Sequence, residues 1–294
     1  MELSVSELPT VESELRKVPE FPRKDLEFLT EWVDSMSNLP PIPEIKLIHF
    51  HHSCYFDLDK TKDCILKYYD IFKNHPEFFF GRDATTKKAQ TALRLLHYSI
   101  VPKRTPNGSQ IIFQKLATTD TKDFDFCEGI KLLSMMMEGS LYYYGLAPST
   151  IALLDYKNCS FGHMLKPTIS MWKVVISFLE TALPVRLKGI YFLNTSFYVQ
   201  KIFLLLKPFL SKEIQKIIHF YQENNLEPLY EILSRECIPE DYGGLLPSVE
   251  ELNCDFEKQM LKLRDNFLQE EEKILNPELH KKKQKSEQEA IIVP

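Results

Sequence analysis

The sequence predicts an α/β protein in which an N-terminal helical module is followed by a mainly parallel sheet covered by helices. Two short apolar runs, Thr150–Asp155 and Gly189–Asn194, have the composition of strands that are buried on both faces. Segments with helical spacing separate these runs from two further short apolar runs, Gln110–Gln114 and Lys216–Tyr221. Such an alternation of strands and helices is typical of parallel strands joined by crossover helices.

Residues 1–85 form the predicted helical module. Helical spacing of apolar residues runs through 24–36 and is interrupted by the proline-rich segment 40–43. A second helix is predicted at about 43–50. A third begins near residues 57–59, where an aspartate can cap the helix N-terminus.

The rest of the chain divides into an α/β domain at residues 86–250 and a C-terminal unit at residues 251–294. The C-terminal unit contains most of a charged helix, predicted from Val249 to about Leu275, with one apolar face. This face predicts that the helix packs against the rest of the molecule. Residues 280–288 are polar and rich in lysine, and we expect them to be disordered.

The segment from Leu165 to Leu183 is too apolar for a helix with one face in solvent. It carries two apolar stripes, and a helix between a core and solvent needs only one. Two stripes fit a central core helix, or a helix buried both against the sheet and against a cavity. The stripes comprise positions 165, 169, 172, 176, 179 and 183, and positions 164, 171, 175, 178 and 182.

Charge and composition exclude several classes of protein. The net charge of −5 gives no reason to expect nucleic acid as a partner. The first residues are acidic where a signal peptide is basic and then apolar, and no apolar run approaches the ~18 residues of a membrane span. The six cysteines are scattered without a CxxC pair, which is typical of reduced thiols. We therefore expect a cytoplasmic monomer.

Motifs of enzymatic chemistry are not found in the sequence. There is no GxGxxG, phosphate-binding loop or GxSxG motif. Asp155 and Asn194 end predicted strands, where α/β enzymes place catalytic groups, but neither has an evident nucleophile or base partner. Asp155 would be a candidate base only if the fold were different. We predict no enzymatic activity and no cofactor.

A cluster of histidines is the best candidate for a metal site. His49, His51 and His52 would alternate suitably on a strand, but zinc requires three or four ligands, and no acidic or cysteine partner has motif spacing. Cys54 is close in sequence, yet the segment is predicted to be helical. We favour surface or helix-cap positions for these histidines and predict no metal.

Several segments in the second half of the chain together resemble one known family. The pieces are Leu-Pro-Val-Arg-Leu-Lys-Gly-Ile-Tyr-Phe-Leu-Asn at 183–194, Lys-Pro-Phe-Leu at 207–210 and Pro-Glu-Asp-Tyr-Gly-Gly at 239–244. In this order and spacing they resemble the CRAL-TRIO lipid-binding family, in the branch of alpha-tocopherol transfer protein and retinaldehyde-binding protein. Phe-Asp-Leu-Asp at 56–59 and Pro-Glu-Phe at 76–78 resemble the family's N-terminal helical module.

This resemblance implies an apolar ligand cavity under a mobile lid helix at about 196–209. The doubly apolar helix would form one wall of the cavity, and the lid's outer face would meet a membrane. The membrane-facing lid residues would be Val199, Phe203 and Leu204. The implied ligand-binding residues are Leu133, Met136, Leu154, Phe161, Leu165, Val175, Phe178, Leu179, Leu183, Ile190, Ile202, Leu205, Leu206 and Phe209.

The function implied by the resemblance is cytosolic binding of a hydrophobic small molecule and its transfer between membranes. The ligand could be tocopherol, a retinoid, a carotenoid, a sterol or a phospholipid. Polar positions that orient a headgroup are not evident, which favours a ligand of little polarity. Two alternatives stay open: a lipid-sensing module that controls a protein partner, and an enzyme that modifies a lipid.

The resemblance also raises the question of phosphoinositide binding, including bisphosphorylated headgroups. Arg186 and Lys188 match two basic positions of the family's headgroup patch. Other positions depart from it, since Glu213 and Ile217 replace basic residues and the arginine-rich N-terminal segment becomes 51–54. Two cations cannot hold such a headgroup tightly, because each surface ion pair contributes about 1 kcal/mol or less. We expect weak, salt-dependent binding without headgroup preference, and Arg186 and Lys188 could equally be solvated charges.

Overall fold

The N-terminal part of the chain is helical, as predicted. The computed structural model describes residues 8–223, 227–282 and 286. The helices before the sheet are α1 (Val11–Lys17), α2 (Arg23–Ser35), α3 (Glu44–Ser53), α4 (Leu58–Asn74), α5 (Pro76–Phe79) and α6 (Lys87–Leu95). The side chain of Asp57 caps α4 by accepting a hydrogen bond from the Lys60 amide at 3.0 Å.

The described residues contain a five-stranded sheet whose strands follow one another in chain order. β2 to β5 are parallel, and β1 joins the edge antiparallel to β2. The mixed α/β architecture with a mainly parallel sheet is therefore confirmed. The strands are β1 (Leu96–Ile100), β2 (Gln110–Leu116), β3 (Thr150–Asp155), β4 (Leu187–Thr195) and β5 (Ile218–Gln222).

Helices cover both faces of the sheet. Odd-numbered residues such as Ile111, Phe113 and Leu153 pack under α12 and the turns that follow it. Even-numbered residues of the strands face α7, α9 and α10, where the candidate site lies. These later helices are α7 (Phe126–Tyr144), α8 (Phe161–Leu165), α9 (Ile169–Thr181), α10 (Phe197–Leu206), α11 (Lys212–Ile217), α12 (Glu227–Ile232) and α13 (Val249–Leu275).

Local signals explain where α7 begins and ends and where α9 begins. The Asp125 side chain accepts a hydrogen bond from the Glu128 amide at 3.2 Å and starts α7, which ends at Gly145 with a φ of 66°. The Thr168 hydroxyl accepts a hydrogen bond from the Met171 amide at 3.3 Å and starts α9. The apolar segment from Leu165 to Leu183 is thus a capped helix of 13 residues with short flanks.

The C-terminal helix has the predicted bounds, but the polar tail differs from the prediction. Residues 277–282 form a further helical segment, and the Lys281 ammonium group donates a hydrogen bond to the Met36 carbonyl at 2.7 Å. The expectation of disorder is therefore wrong for residues 280–282, because a lysine there binds the end of α2. Residues 283–285 and 287–288 lie outside the described part of the chain. In that described part, no helix combines the length and apolar composition needed to cross a bilayer.

Candidate functional site: an apolar cavity on the sheet

An apolar cavity of about 200 Å³ lies between the sheet and the helices on its even-numbered face. The sheet provides its floor, because side chains two residues apart on a strand point to the same face. Ile112 on β2, Leu154 on β3 and Ile190 on β4 contribute to this floor. The site is thus built from the centre of the sheet outward.

Helices α7, α9 and α10 form the walls of the cavity. Leu133 and Met137 line it from α7, and Val175 and Leu179 line it from α9. Phe178, also on α9, lines the cavity, and its ring centroid lies 4.9 Å from that of Phe79 in the N-terminal module. Burial against the cavity and against the N-terminal helices therefore explains most of the two apolar stripes, whereas Leu165 and Ile169 of the first stripe are exposed.

The structure places nine of the fourteen sequence-predicted ligand-binding residues on the cavity wall. They come from α7, α9, α10, two strands and the segment after α9. The nine are Leu133, Leu154, Val175, Phe178, Leu179, Leu183, Ile190, Ile202 and Leu206.

The other five predicted residues do not line the cavity. Met136 is fully buried on α7, but it points away from the cavity side occupied by Leu133 and Met137. Leu205 is 67% exposed. It lies about 100° around the helix from Leu206, which faces the cavity. The remaining three lie at the surface, on α8 or directly after α10, and are Phe161, Leu165 and Phe209.

Two of the three residues predicted to face the membrane from α10 face the cavity instead. Val199 is only 4% exposed and, like Phe203, it lines the cavity. Both belong to an inward stripe at 199, 202, 203 and 206, which has the i, i+3, i+4, i+7 spacing of one helix face. The prediction was wrong for these two residues, although the spacing in the sequence contained the signal. Leu204 does point outward and is 61% exposed.

An exposed apolar surface surrounds the outer side of α10. Phe197 and Leu205 are exposed on α10 itself, and Phe161 on the neighbouring α8 lies with its ring 6.2 Å from that of Tyr198. Lysines accompany these side chains: the Lys201 ammonium lies 5.2 Å from the Phe197 ring centroid. We call Phe161, Leu165, Phe197, Leu204, Leu205 and Phe209 the outer apolar surface.

Polar side chains also reach the cavity, which the sequence reasoning missed. Tyr98 donates its hydroxyl hydrogen to the Gly129 carbonyl at 2.8 Å. Gln114 and Tyr156 lie on the floor of the cavity. Polar positions are therefore present in the cavity wall, although no position that orients a headgroup is evident in the sequence. Strand periodicity could have indicated Gln114, which alternates with Ile111 and Phe113 on the opposite face.

Arg186 is part of the packing between the N-terminal module and the sheet. Its Nε–H donates to the His52 carbonyl at 2.7 Å, and its guanidinium carbon lies 4.2 Å from the Tyr55 ring centroid. Tyr55 and Phe56 adopt left-handed backbone conformations with φ of 56° and 63°. Lys188 is exposed. The structure thus gives one member of the predicted basic pair a local structural role.

The other sequence-predicted chemical candidates have internal partners. The Asp155 carboxylate accepts hydrogen bonds from the Asn194 side chain at 3.0 Å and from the Tyr242 hydroxyl. His51 lies on α3, with Nδ1 2.8 Å from the Thr61 hydroxyl and Nε2 3.0 Å from an Asp25 oxygen. Across the residues that the structure covers, no group of three or more His, Cys, Asp or Glu side chains could hold a metal ion.

The fold and the cavity define an α/β protein that encloses an apolar space beneath a helix with an exposed outer face. The chain belongs to the CRAL/TRIO domain family, whose model matches residues 96–244. A second family model, described as Pinta-like, UBA domain, matches residues 18–89. The family consists of lipid-binding and lipid-transfer proteins, so membership supports the predicted class of function.

Similar proteins support this assignment. Alpha-tocopherol transfer protein-like of Homo sapiens is 24% identical over 260 residues, which are 87% of this chain and 75% of the relative. Clavesin-1 of Xenopus laevis is 28% identical over 149 residues, which are 50% of this chain and 45% of the relative. Clavesin-2 of Homo sapiens is 25% identical over 199 residues, or 67% of this chain and 59% of the relative. The chain therefore spans about half the length of these Clavesin relatives.

A solved structure shows the same fold. The crystal structure of Sfh5 superposes with a TM-score of 0.53 and 14% sequence identity. The superposition covers 83% of this chain and 93% of Sfh5. At this level of identity the likeness concerns the fold alone.

Proposed function

We propose that this protein binds a hydrophobic small molecule in the cavity and transfers it between membranes. The observation that supports this proposal most is a cavity wall made almost entirely of apolar side chains from the sheet, α7, α9 and α10. Removing about 400 Å² of apolar ligand surface from water contributes roughly 10 kcal/mol at about 25 cal/mol per Å², before ordering costs. Burial of this kind is sufficient to hold a poorly soluble lipid without covalent chemistry.

In this proposal α10 is the lid through which the ligand enters and leaves. Its inner face closes the cavity with Ile202 and Leu206, while Leu204 and Leu205 face outward. Contact with a bilayer would bury the outer apolar surface and lower the cost of opening α10. Exposed lysines around this surface, including Lys201, would favour anionic membranes.

The proposal is tested by identifying what the purified protein carries and by closing the cavity. Native mass spectrometry with organic extraction should release an apolar compound from the wild-type protein. Ala152→Phe fills the cavity from its floor, and Leu183→Asp places a charge in its wall, so both variants should lose the bound compound. Tyr142→Asp is the matched control, because Tyr142 is 38% exposed near the end of α7. Equal loading of all four proteins would contradict the proposal.

A further inference from the structure

The turn between α3 and α4 brings two cysteines into contact. Cys54 directly follows α3, and Cys64 lies on α4. Thr61 precedes Cys64 by three residues and therefore shares its helix face, and the Thr61 hydroxyl lies 2.8 Å from His51 Nδ1 on α3. This face of α4 is thus packed against α3, and the two thiols form a hydrogen bond there. Both cysteines are free thiols in this structure.

The two thiols differ in their access to solvent. Cys64 is only 7% exposed and belongs to the hydrophobic core, whereas Cys54 is partly exposed. The Ser53 hydroxyl lies 3.8 Å from the Cys54 sulfur, so the surroundings of this thiol are partly polar. A small dissolved oxidant can therefore reach the Cys54 sulfur before it reaches that of Cys64.

Cys54 is also the more acidic of the two thiols. A hydrogen bond from the Cys64 thiol lowers the pKa of Cys54 to about 7, although burial and the Asp57 carboxylate oppose this shift. The same contact, together with burial, raises the pKa of Cys64. The Arg186 guanidinium, which lies over the ring of the neighbouring Tyr55, attracts a Cys54 thiolate. Near neutral pH a large share of Cys54 is therefore thiolate, which is the nucleophilic form of cysteine.

We propose that Cys54 and Cys64 form a thiol pair that reacts with hydrogen peroxide, with Cys54 as the nucleophile and Cys64 as the resolving thiol. The Cys54 thiolate attacks one peroxide oxygen, so that an S–O bond forms, the O–O bond breaks, and hydroxide leaves and takes up a proton. The Cys64 thiol then attacks the sulfur of this sulfenic acid. An S–S bond forms, and the hydroxyl group leaves as water with the Cys64 proton. The peroxide is reduced while the two thiols are oxidised, and neither step involves the cavity.

Formation of the disulfide needs only a local change. The sulfur atoms have to move from a hydrogen-bonding contact to a bond of about 2.05 Å, and Cys54 can rotate toward Cys64 because it lies between the two helices. Cys127 offers a comparison within the same chain. It is partly exposed like Cys54, but burial raises its pKa to about 11. Similar access with much less thiolate makes Cys127 the matched control.

The test exposes the full chain to hydrogen peroxide at neutral pH, blocks the remaining thiols with N-ethylmaleimide and maps the tryptic peptides without reduction. Trypsin cleaves between the two cysteines, so the disulfide joins peptides 47–60 and 63–67. We expect these linked peptides to be the main product of the wild-type protein. Cys54 should lose its free thiol at least about tenfold faster than Cys127, because far more of it is thiolate.

Variants separate the two roles. Cys64→Ala should react more slowly, because Cys54 loses its hydrogen bond, and should stop at a sulfenic acid that dimedone traps. Cys54→Ser should form no linked peptides, whereas Cys127→Ser should form them at the wild-type rate. Circular dichroism before oxidation checks that each variant is folded. Equal oxidation rates of Cys54 and Cys127 in the wild type, or a trapped Cys54 sulfenic acid there without linked peptides, would overturn the proposal.

Discussion

At the scale of single residues, Arg186 illustrates how a charge suited to lipid headgroups serves the fold instead. Its Nε–H donates a hydrogen bond to the His52 carbonyl, and its guanidinium lies over the Tyr55 ring. Turning the side chain away from this position would lose a hydrogen bond and a cation–π contact. Arg186 therefore has a structural role, and headgroup binding by Arg186 and Lys188 stays a prediction.

We predict that Arg186→Ala lowers the free energy of unfolding by about 1–2 kcal/mol, because it removes a hydrogen bond and an aromatic contact. Lys188→Ala should change stability little, since Lys188 is exposed. Urea denaturation measures both values.

Binding to phosphoinositide vesicles should be weak in the wild type and fall steeply with salt. Tight, headgroup-selective binding at physiological salt that both variants lose would contradict this expectation.

His52 provides a second prediction at this scale. Burial, and then the nearby charges of Arg186 and His49, lower the pKa of His52 to about 4, while Glu14 opposes the shift. Between this value and the ordinary pKa of 6.5, the unfolded chain binds a proton that the folded protein does not. Stability should therefore fall as the pH decreases from about 6.5 to about 4, by up to about 3 kcal/mol from this residue.

The measurement compares urea midpoints between neutral pH and pH about 4 for the wild type and His52→Gln. The variant should lose part of the acid sensitivity, whereas His75→Gln at a partly exposed position should retain it. The residual sensitivity belongs to other buried histidines, whose pKa values burial also lowers, such as His49 and His51. An unchanged pH profile in His52→Gln would show that this imidazole is not the sensitive group.

At the scale of elements, the two faces of α10 have different surroundings. The inward stripe with Val199 and Phe203 closes the cavity, and the outward positions Leu204 and Leu205 remain in solvent. Because ten consecutive residues are mostly apolar, composition alone does not show which face is which. The spacing of positions 199, 202, 203 and 206 indicates one helix face, and the packing of α10 over the sheet makes this face the inward one.

We predict that Leu205→Asp slows transfer of a fluorescent lipid between vesicles about tenfold, while its equilibrium affinity changes less than about twofold. The reason is that a charge on the outer face weakens contact with the bilayer without entering the cavity. Phe203→Asp should show the opposite pattern and lose affinity, since Phe203 lines the cavity. Equal effects of both variants on affinity would contradict the assigned orientation.

Sequence reasoning was most successful for elements with a strong local signal. The bounds of β3 and of α13 agree with the prediction, because a short apolar run and a capped amphipathic pattern are local features. β1 was missed, since Leu96–Ile100 continues directly from α6 without a turn residue. The cavity residues on α9 could be predicted from its double stripe, but the cavity position of Tyr156, directly after β3, has no signal in the local sequence.

At the scale of the whole molecule, a buried ionic cluster joins segments that are far apart in the chain. Arg82, which is fully buried, donates from Nη1 to Glu138 on α7 at 2.9 Å and from Nε to Glu271 on α13 at 2.9 Å. Lys46 on α3 forms ion pairs with Glu138 and with Glu270. Because as many as 224 residues separate paired groups, no local pattern in the sequence indicates these contacts.

The position of the cluster suggests that three parts of the chain fold as one unit. Arg82 lies between α5 and α6, α7 forms a wall of the cavity, and α13 lies after the segment that matches the CRAL/TRIO family. The same Arg82 guanidinium lies 4.9 Å from the ring centroid of Phe267 on α13. Residues outside the matched region therefore support the helix that lines the cavity.

We predict that Arg82→Met lowers the free energy of unfolding by about 3–5 kcal/mol, because it removes the cation that pairs with Glu271 and one of the two cations that pair with Glu138 and Glu270. The N-terminal module, the sheet and α13 should then unfold together in a single transition at a lower urea concentration, followed by tryptophan fluorescence and circular dichroism. Lys103→Met is the matched control, since Lys103 and Glu236 form an exposed pair 3.2 Å apart, and its stability should equal that of the wild type. Two separate transitions in Arg82→Met would show instead that the helical module and the α/β domain fold independently, with the cluster serving only to dock one on the other.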